Sequence, residues 1–194
     1  GPTIQASSQR ALKNKTTLHK ILHLVSLLRK KTQIPICLMG YYNPIFNFGE
    51  AAFVKAAQRA GVDGLIIPDL PPEEAKNLIA LTKKNNMALV FFAAPTTTRQ
   101  RMKKIAQASS GFIYYVSLTG VTGARKALAS SLIKDIKSIK HFTDKPVCAG
   151  FGISTSAQVK SIGKIADGVI VGSAIVKIIE QNAGKKNLVK KTAL

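Results

Sequence analysis

Residues 112–123 read FIYYVSLTGVTG, a run of β-branched and aromatic residues that ends in a glycine-rich turn. This composition predicts a buried strand followed by exposed backbone amides. Two later stretches repeat the pattern, PVCAGFGI at residues 146–153 and GVIVGSA at residues 168–174. Because the carboxyl ends of parallel strands meet at one edge of a sheet, three such endings in succession predict a phosphate site there.

Short apolar runs alternate with amphipathic segments along the chain. The apolar runs predict six strands, at residues 36–42, 64–68, 88–93, 112–116, 147–150 and 168–171. The other segments predict helices at residues 17–31, 49–60, 99–108, 132–141, 156–165 and 174–182, with Thr16 or Thr17 as the N-cap of the first and Gly61 as the C-cap of the second. A further helix is expected to open at Pro72, Glu73 and Glu74, since proline and acidic residues are favoured in a first turn. Residues 43–47 are expected to form a loop.

This order of elements predicts an α/β fold. Alternating strands and helices build a parallel sheet, and strands without polar alternation have both faces covered. A closed (β/α)8 barrel has eight strands, two more than the six predicted here. The chain has 194 residues, 46% of them hydrophobic, and contains no low-complexity linker. We therefore predict a single domain over residues 1–194.

The chain is strongly basic, with 29 Lys and Arg against 9 Asp and Glu and a formal net charge of +20. Polybasic surfaces attract nucleic-acid phosphates. The lysines are nevertheless scattered and match no nucleic-acid-binding motif, so we predict a solvated surface without a specific nucleic-acid partner. Weak polyanion binding is the alternative. The apolar stretches are also far shorter than the roughly 20 residues that cross a bilayer, so no membrane interaction is expected.

Two cysteines, Cys37 and Cys148, lie in apolar strand-like runs. Neither has a Cys or His at metal-ligand spacing, so we predict buried free thiols and no metal site. A disulfide between the two is the alternative, although disulfides are rare inside cells.

Glycines follow the last three predicted strands. A phosphate bound without metal needs several backbone N–H groups that point the same way, and glycine lets the backbone approach closely. Ser173 precedes the last predicted helix and would add a hydroxyl. The candidate donors are Gly120, Val121, Thr122, Gly123, Gly150, Phe151, Gly152, Gly172 and Ser173. Tight turns without a ligand are the alternative reason for these glycines.

Seven motifs occur in a fixed order along the chain. They are GPTIQ at residues 1–5, YYNP at 41–44, GVDGLIIPDLP at 61–71, APTT at 94–97, SLTGVTG at 117–123, GFGIS at 150–154 and DGVIVGSAIV at 167–176. In these motifs the chain resembles the alpha subunit family of tryptophan synthase, over nearly its whole length. The resemblance implies a TIM barrel, with about six of its eight strands in this chain.

The resemblance implies a lyase without a cofactor of its own. The family cleaves indole-3-glycerol phosphate to indole and glyceraldehyde 3-phosphate by a retro-aldol reaction in L-tryptophan biosynthesis. Matched motif by motif, the residues around the substrate phosphate would be Thr122, Gly123, Phe151, Gly152, Gly172 and Ser173. Those around the indole and glycerol groups would be Met39, Tyr41, Pro68, Phe91 and Tyr114. Core packing is the alternative role for Met39, Phe91 and Tyr114.

A partner is also implied by the resemblance. The family passes indole to a β subunit that carries pyridoxal phosphate, within an α2β2 heterotetramer. The residues that would contact this β subunit are Asn43, Pro44, Phe46, Asn47, Asp69 and Pro71.

The retro-aldol reaction needs one carboxyl group to protonate indole C3 and another to take up protons at N1 and the glycerol hydroxyl. In the family these are a Glu near the end of the second barrel strand and an Asp just before the GPTIQ motif. Both are therefore expected before Gly1, together with the first two barrel strands, and the final helix is expected beyond Leu194. No acid in the chain is a credible replacement, so we expect this stretch to contain no catalytic residue and to be inactive alone.

Two other functions stay open at this point. A noncatalytic alpha-like partner would bind a phosphate ligand and activate the β subunit. Another phosphate-binding barrel, such as a phosphoribosyl isomerase or indole-glycerol-phosphate synthase, is disfavoured by the YYNP and DLP segments. The excess of Lys over Arg, with frequent Ile and Asn, points to an AT-rich genome, and hence to a plastid stroma or a bacterial cytoplasm.

Overall fold

Short strands alternate with helices in the computed structural model, which describes residues 1–116, 125–150 and 152–184, without the side chains of residues 125–131. The helices in these ranges are α1 (Pro2–Lys13), α2 (Leu18–Arg29), α3 (Tyr42–Phe48), α4 (Glu50–Ala60), α5 (Lys76–Lys84), α6 (Arg99–Ala108), α7 (Arg125–Lys140), α8 (Ser156–Ile162) and α9 (Ser173–Asn182). The strands are β1 (Cys37–Met39), β2 (Gly64–Ile66), β3 (Ala88–Val90), β4 (Phe92–Ala93), β5 (Ile113–Val116), β6 (Val147–Gly150) and β7 (Gly168–Ile170). This alternation confirms the predicted α/β class.

Every strand pair is parallel, and neighbouring strands follow chain order. One sheet has the order β1-β2-β3 and the other β4-β5-β6-β7. Strands β3 and β4 are two parts of the single strand predicted at residues 88–93, and they pair with β2 and β5 respectively. Phe91 separates them, and its carbonyl accepts a hydrogen bond from the Tyr114 N–H at 3.0 Å. The run at residues 88–93 therefore links the two sheets, which is why it divides where its pairing partner changes.

The main core lies between the strands and the helices. Alternate side chains of each strand enter this layer, because successive strand residues point to opposite faces. The side chains in it from the strands and from residues next to them include Leu65, Ile67, Leu89, Phe91, Ala93, Ile113, Tyr115, Val147 and Ala149. Helix side chains that pack with them include Val54, Ala57, Leu78, Ile105, Ile136 and Ile139. The strand side chains between these positions point to the opposite face of the sheet.

Helix ends follow the expected chemistry. The Thr17 hydroxyl accepts a hydrogen bond from the Lys20 N–H at 3.3 Å, so Thr17 is the N-cap of α2, as one of the two predicted alternatives. Gly61 has φ of 90° and ends α4 as the predicted C-cap glycine. Its conformation is one that side chains rarely adopt, and an added Cβ would also meet the Arg29 side chain.

Two local predictions were wrong, and one helix was missed. Residues 43–47 form helix α3 instead of a loop, and Pro44 is tolerated there because it lies in the first turn, where its missing N–H has no helical partner. Residues 72–74 form a turn, and α5 begins only at Lys76. Helix α1 was not predicted, and it buries no side chain.

Helix α1 contacts the last described helix of the chain. Arg10 Nη1 donates a hydrogen bond to Glu180 Oε1 at 2.8 Å, and the pair joins α1 to α9. Both side chains are 45% exposed, so this ion pair is screened and contributes little stability.

The two cysteines are free thiols, as predicted, but neither is fully buried. Cys37 is exposed on β1 and Cys148 is half-buried on β6. The apolar runs misled the prediction because both thiols lie on the strand face opposite to the helix-facing core. Among the described helices, none combines the length and the apolar character needed to span a bilayer.

Candidate functional site

Four neighbouring strands place one row of residues on the same face. The register pairs Phe92 with Tyr114, Tyr114 with Cys148, and Cys148 with Gly168. Residues paired across parallel strands share a face of the sheet. Because Ile113 and Tyr115 belong to the helix-facing core, this row faces the opposite side, away from the helices.

A cleft of about 610 Å³ opens at the carboxyl ends of the strands on this side. Its wall consists of Met39, Pro68, Phe92, Ala93, Ala94, Thr96, Thr97, Arg101, Tyr114 and Val116. The volume falls in the range of small-molecule sites, roughly 300 to 1,000 Å³. Ligands of parallel α/β folds bind at this edge, where the loops after the strands converge.

An aromatic pair forms part of the cleft wall. The rings of Phe92 and Tyr114 stack with their centroids 4.7 Å apart and an interplanar angle of 29°. Burial raises the pKa of Tyr114 above its ordinary value, so its phenol stays protonated at neutral pH and can donate a hydrogen bond. The pair therefore provides a flat apolar surface beside one polar group, which suits a flat aromatic ligand that carries hydroxyl groups.

Gly150 allows the Tyr114 ring to lie where it does. A Cβ built on Gly150 would come within 2.7 Å of the Tyr114 hydroxyl oxygen and within 2.8 Å of a ring carbon. Gly150 pairs with Val116 on β5 and Ile170 on β7, so it lies at the centre of its sheet. Glycine is required here by the close approach of the ring, since nothing larger fits behind it.

The structure corrects the position predicted for Phe91. Its side chain is 2% exposed and packs in the helix-facing core, so it does not line the cleft. Phe92 lines the cleft instead. The two residues are neighbours in one strand run and therefore point to opposite faces. Strand alternation predicts that Phe91 and Phe92 lie on opposite faces, but only the pairing with Tyr114 shows that Phe92 is the ring on the cleft side.

Besides Tyr114, two of the residues predicted around the indole and glycerol groups line the cleft, and one does not. Met39 ends β1 and Pro68 follows β2, and both belong to the cleft wall. Met39 is 60% exposed, so it is not a core residue of the described structure. Tyr41 is 68% exposed and precedes α3 as its N-cap residue, outside the described cleft wall.

Three of the residues predicted around the phosphate lie at the same edge of the sheet. Gly150 on β6 pairs with Ile170 on β7. Gly152 and Gly172 each lie two residues after one of these paired residues, so both lie near the ends of the two strands. Both glycines are exposed, and Ser173 is the first residue of α9. The first N–H groups of a helix have no helical partner and can bind an anion. The remaining predicted residues, Thr122, Gly123 and Phe151, lie outside the described residues.

The charge in the described cleft wall is positive. Arg101 is the charged side chain in the wall, and none of the wall residues is an Asp or Glu. The cleft can therefore bind and orient a ligand, but its described residues offer no carboxyl group for proton transfer. Within the described ranges, no three His, Cys, Asp or Glu side chains are grouped closely enough to hold a metal ion.

The residues predicted to contact a partner lie together around α3. Asn43, Pro44, Phe46 and Asn47 are all exposed on this helix, and Phe46 is 63% exposed. Asp69 follows β2 and reaches the beginning of α3, where it accepts hydrogen bonds from the Tyr42 N–H. Pro71 is half-buried two residues further on. The structure thus brings residues from two segments of the chain into one surface.

Comparison with known proteins identifies the family. A family model described as the tryptophan synthase alpha chain matches residues 1–194. The chain belongs to the tryptophan synthase alpha chain family. It is 53% identical over 186 residues to the tryptophan synthase alpha chain of Geotalea daltonii, a match that covers 96% of this chain and 70% of that protein.

Solved structures of the tryptophan synthase alpha chain family share the fold. A crystal structure of the tryptophan synthase alpha chain from Legionella pneumophila superposes with a TM-score of 0.89 and 36% identity, covering 100% of this chain and 72% of that chain. A structure of the tryptophan synthase a2b2 complex from Pyrococcus furiosus gives a TM-score of 0.90 at 38% identity, covering 99% of this chain and 77% of that chain. The predicted membership of the TIM barrel family is thereby confirmed.

Proposed function

We propose that the chain binds indole-3-glycerol phosphate and takes part in its retro-aldol cleavage to indole and glyceraldehyde 3-phosphate. The observation that carries the proposal is the stacked pair of Phe92 and Tyr114 in the wall of the cleft, in a member of the tryptophan synthase alpha chain family. A stacked aromatic surface favours the indole ring. In this proposal the protonated Tyr114 hydroxyl donates a hydrogen bond to the glycerol chain.

The phosphate of the substrate binds at the ends of β6 and β7 in this proposal. Exposed backbone at Gly152 and Gly172 supplies amide donors, and Ser173 adds its hydroxyl at the start of α9. These groups need no metal and no cofactor, because helix N-termini and glycine turns bind phosphate by themselves. Thr122, Gly123 and Phe151 complete the set that the family resemblance implies.

In this proposal the proton-transfer groups are not among the described residues of the cleft wall. Cleavage of the bond between indole C3 and the glycerol chain needs an acid for C3 and a base for the hydroxyl proton. The described cleft wall contains no carboxyl group. The described residues accordingly provide the substrate-binding side of a lyase site.

A pyridoxal-phosphate β subunit is the proposed partner. It docks on the exposed surface of α3 and the segment after β2, formed by Asn43, Pro44, Phe46, Asn47 and Pro71 beside Asp69. The similarity to an alpha chain solved within an a2b2 complex supports an α2β2 assembly. An exposed Phe46 beside polar side chains is typical of a docking surface, because aromatic anchors carry much of the binding energy.

The proposed cellular compartment is based on the organisms of the similar proteins. The Geotalea and Legionella proteins are bacterial, which supports a bacterial cytoplasmic protein and gives no support to a plastid location. The proposal includes no specific nucleic-acid partner, because the lysines are dispersed along the chain and match no nucleic-acid-binding motif.

The test is turnover of indole-3-glycerol phosphate by the complete natural protein, alone and with its β subunit. We expect release of indole, and competition by indolepropanol phosphate but not by simple sugar phosphates. Binding of indolepropanol phosphate and activation of the β subunit without any cleavage would replace the lyase by a noncatalytic activator. Absence of indolepropanol phosphate binding would overturn the proposed site.

A further inference from the structure

Helix α3 begins without a cap of its own. Its N-cap residue, Tyr41, makes no side-chain hydrogen bond to the helix, and Pro44 in the first turn has no N–H. The first free donor is the N–H of Tyr42, which has no helical partner by position. In a helix of 7 residues such an end group is a large share of all backbone bonds, so its partner matters for whether the helix forms.

Asp69 provides that partner from a different segment. Its Oδ1 and Oδ2 atoms lie 2.9 and 3.2 Å from the Tyr42 nitrogen, although the two residues are 27 positions apart. A carboxylate that accepts from an N-terminal N–H satisfies the donor and also complements the positive end of the helix dipole. Asp69 thus supplies the capping hydrogen bond that the Tyr41 side chain does not make.

The position of Asp69 is set by the strands. Met39 pairs with Ile66 in the register of β1 and β2, and the Gly40 N–H donates to the Ile66 carbonyl at 3.2 Å. The segments that leave the two strands therefore run side by side up to Tyr42 and Asp69. Pro68 lines the cleft and is the immediate neighbour of Asp69, so the capping residue is tied to the rigid end of the sheet.

A second contact holds the same residue from the other side. The Tyr42 hydroxyl donates to Glu50 Oε1 at 3.0 Å, and Asn77 Nδ2 donates to Glu50 Oε2. One turn further along, the Asn47 side chain donates to Asn43 Oδ1 at 3.4 Å. Helix α3 is thus fixed at Tyr42 and carries its exposed polar residues in a defined orientation.

We propose that Asp69 is a positioning residue: it caps α3 within this chain and so orients Asn43, Pro44, Phe46 and Asn47, instead of contacting the partner subunit itself. The capping part of this inference stands on the hydrogen bonds alone. Its consequence for partner binding rests on the proposed function, in which the β subunit docks on this surface.

The test compares three variants in the complete natural protein. Asp69→Ala removes the acceptor, Asp69→Asn keeps an acceptor oxygen but removes the charge, and Glu74→Gln removes a neighbouring charge without touching the cap. Glu74 is a matched control because it interacts electrostatically with Tyr42 but no described hydrogen bond joins it to α3. Amide hydrogen exchange at Tyr42 is measured in the free protein, and affinity is measured for the β subunit.

We expect Asp69→Ala to accelerate exchange at Tyr42 by about fivefold and to weaken β-subunit binding. Asp69→Asn should stay within about twofold of the natural protein in both measurements, as should Glu74→Gln. Unchanged exchange in Asp69→Ala would overturn the capping role. A large loss of β-subunit affinity in Asp69→Asn with normal exchange would show that Asp69 forms a direct ionic contact, and this result does not depend on whether the Ala variant folds.

The two proposals fail in different ways. If the natural protein does not bind a β subunit at all, the proposed function is wrong in that part, yet exchange at Tyr42 still decides the cap. If Asp69→Ala changes exchange but the natural protein and the variant bind the β subunit equally, the cap is real and its positioning role is rejected.

Discussion

The Phe92 ring stacks on the Tyr114 ring across two paired strands, with centroids 4.7 Å apart. The neighbouring Phe91 ring lies on the other side of the same sheet, in the helix-facing core. Two consecutive phenylalanines therefore have separate roles, one in packing and one in the cleft wall. This division can be tested directly, since the same substitution can be made at both.

Phe91→Ala should mainly lower stability, whereas Phe92→Ala should mainly weaken ligand binding. Phe91→Ala should lower the free energy of unfolding by about 3 kcal/mol or more, because it leaves a cavity in the core. Phe92→Ala should weaken indolepropanol phosphate binding about tenfold, or about 1.4 kcal/mol, with a smaller loss of stability. Urea unfolding and ligand titration measure the two quantities. A Phe91 variant that loses ligand affinity and keeps its stability would reverse the assignment.

Gly150→Ala should disturb the cleft through Tyr114. The added methyl group overlaps the Tyr114 hydroxyl and ring, so the ring must move or the sheet must shift. We expect a stability loss of about 1 to 3 kcal/mol, typical of overpacking, together with weaker ligand binding.

The control for Gly150 is the same substitution in a Tyr114→Ala background. There the methyl group has no ring to meet, so the additional destabilisation should largely disappear, as a double-mutant cycle would show. An equal loss of stability in both backgrounds would mean that the backbone, and not the Tyr114 ring, excludes a side chain at Gly150.

Asp167 should make the free energy of unfolding depend on pH in the acidic range. Its Oδ2 accepts from Lys140 Nζ at 2.6 Å and from the Val147 N–H at 2.7 Å. These two hydrogen bonds, the Lys140 one first, hold the pKa of Asp167 below its ordinary value, despite some desolvation. The unfolded state then binds the proton more readily than the folded state. The stabilisation is thus fully present above about pH 5 and is lost as the pH falls below about 4 towards the folded pKa.

Asp167→Asn is the matching variant for this pH dependence. Both partners of the ion pair are more than a third exposed, so screening limits the effect to on the order of 1 kcal/mol. Denaturant unfolding between about pH 3 and pH 7 should show a shallower fall in stability for Asn than for Asp. If the stability of both proteins falls equally with pH, Asp167 does not contribute to the loss of stability in acid.

Ser173→Asp should weaken phosphate binding. A carboxylate at the first residue of α9 would lie beside the bound phosphate, and like charges a few Å apart repel by an amount worth about tenfold or more in affinity. Ser173→Ala, which only removes a hydroxyl, should have a smaller effect. Affinity for indole without phosphate serves as the internal control, and an equal loss for indole and indolepropanol phosphate would place Ser173 elsewhere.

Local chemistry was enough to predict many elements. Helix α4 and its C-cap at Gly61, the N-cap of α2 at Thr17, and helix α6 all follow from neighbouring residues in the chain. The glycines at the ends of β6 and β7 were recognisable for the same reason. Each of these features depends on residues a few positions apart, so the sequence contains the whole interaction.

Other features depend on residues that are distant in sequence. Helix α3 was predicted as a loop because its cap, Asp69, lies 27 positions away and is invisible to a local pattern. Phe91 was assigned to the cleft because either of two adjacent rings fits an apolar run. Only the pairing of Phe92 with Tyr114 settles which face each ring occupies.

The sequence by itself determined the α/β class, the order of the strands and the family, because periodicity, turn chemistry and ordered motifs are properties of the chain. The tertiary structure decided which side chains share the cleft, why Gly150 must be glycine, and how Asp69 reaches Tyr42. The physical reason is strand register. A shift of one residue exchanges the two faces of a strand, and register is set by contacts between segments that the sequence lists far apart.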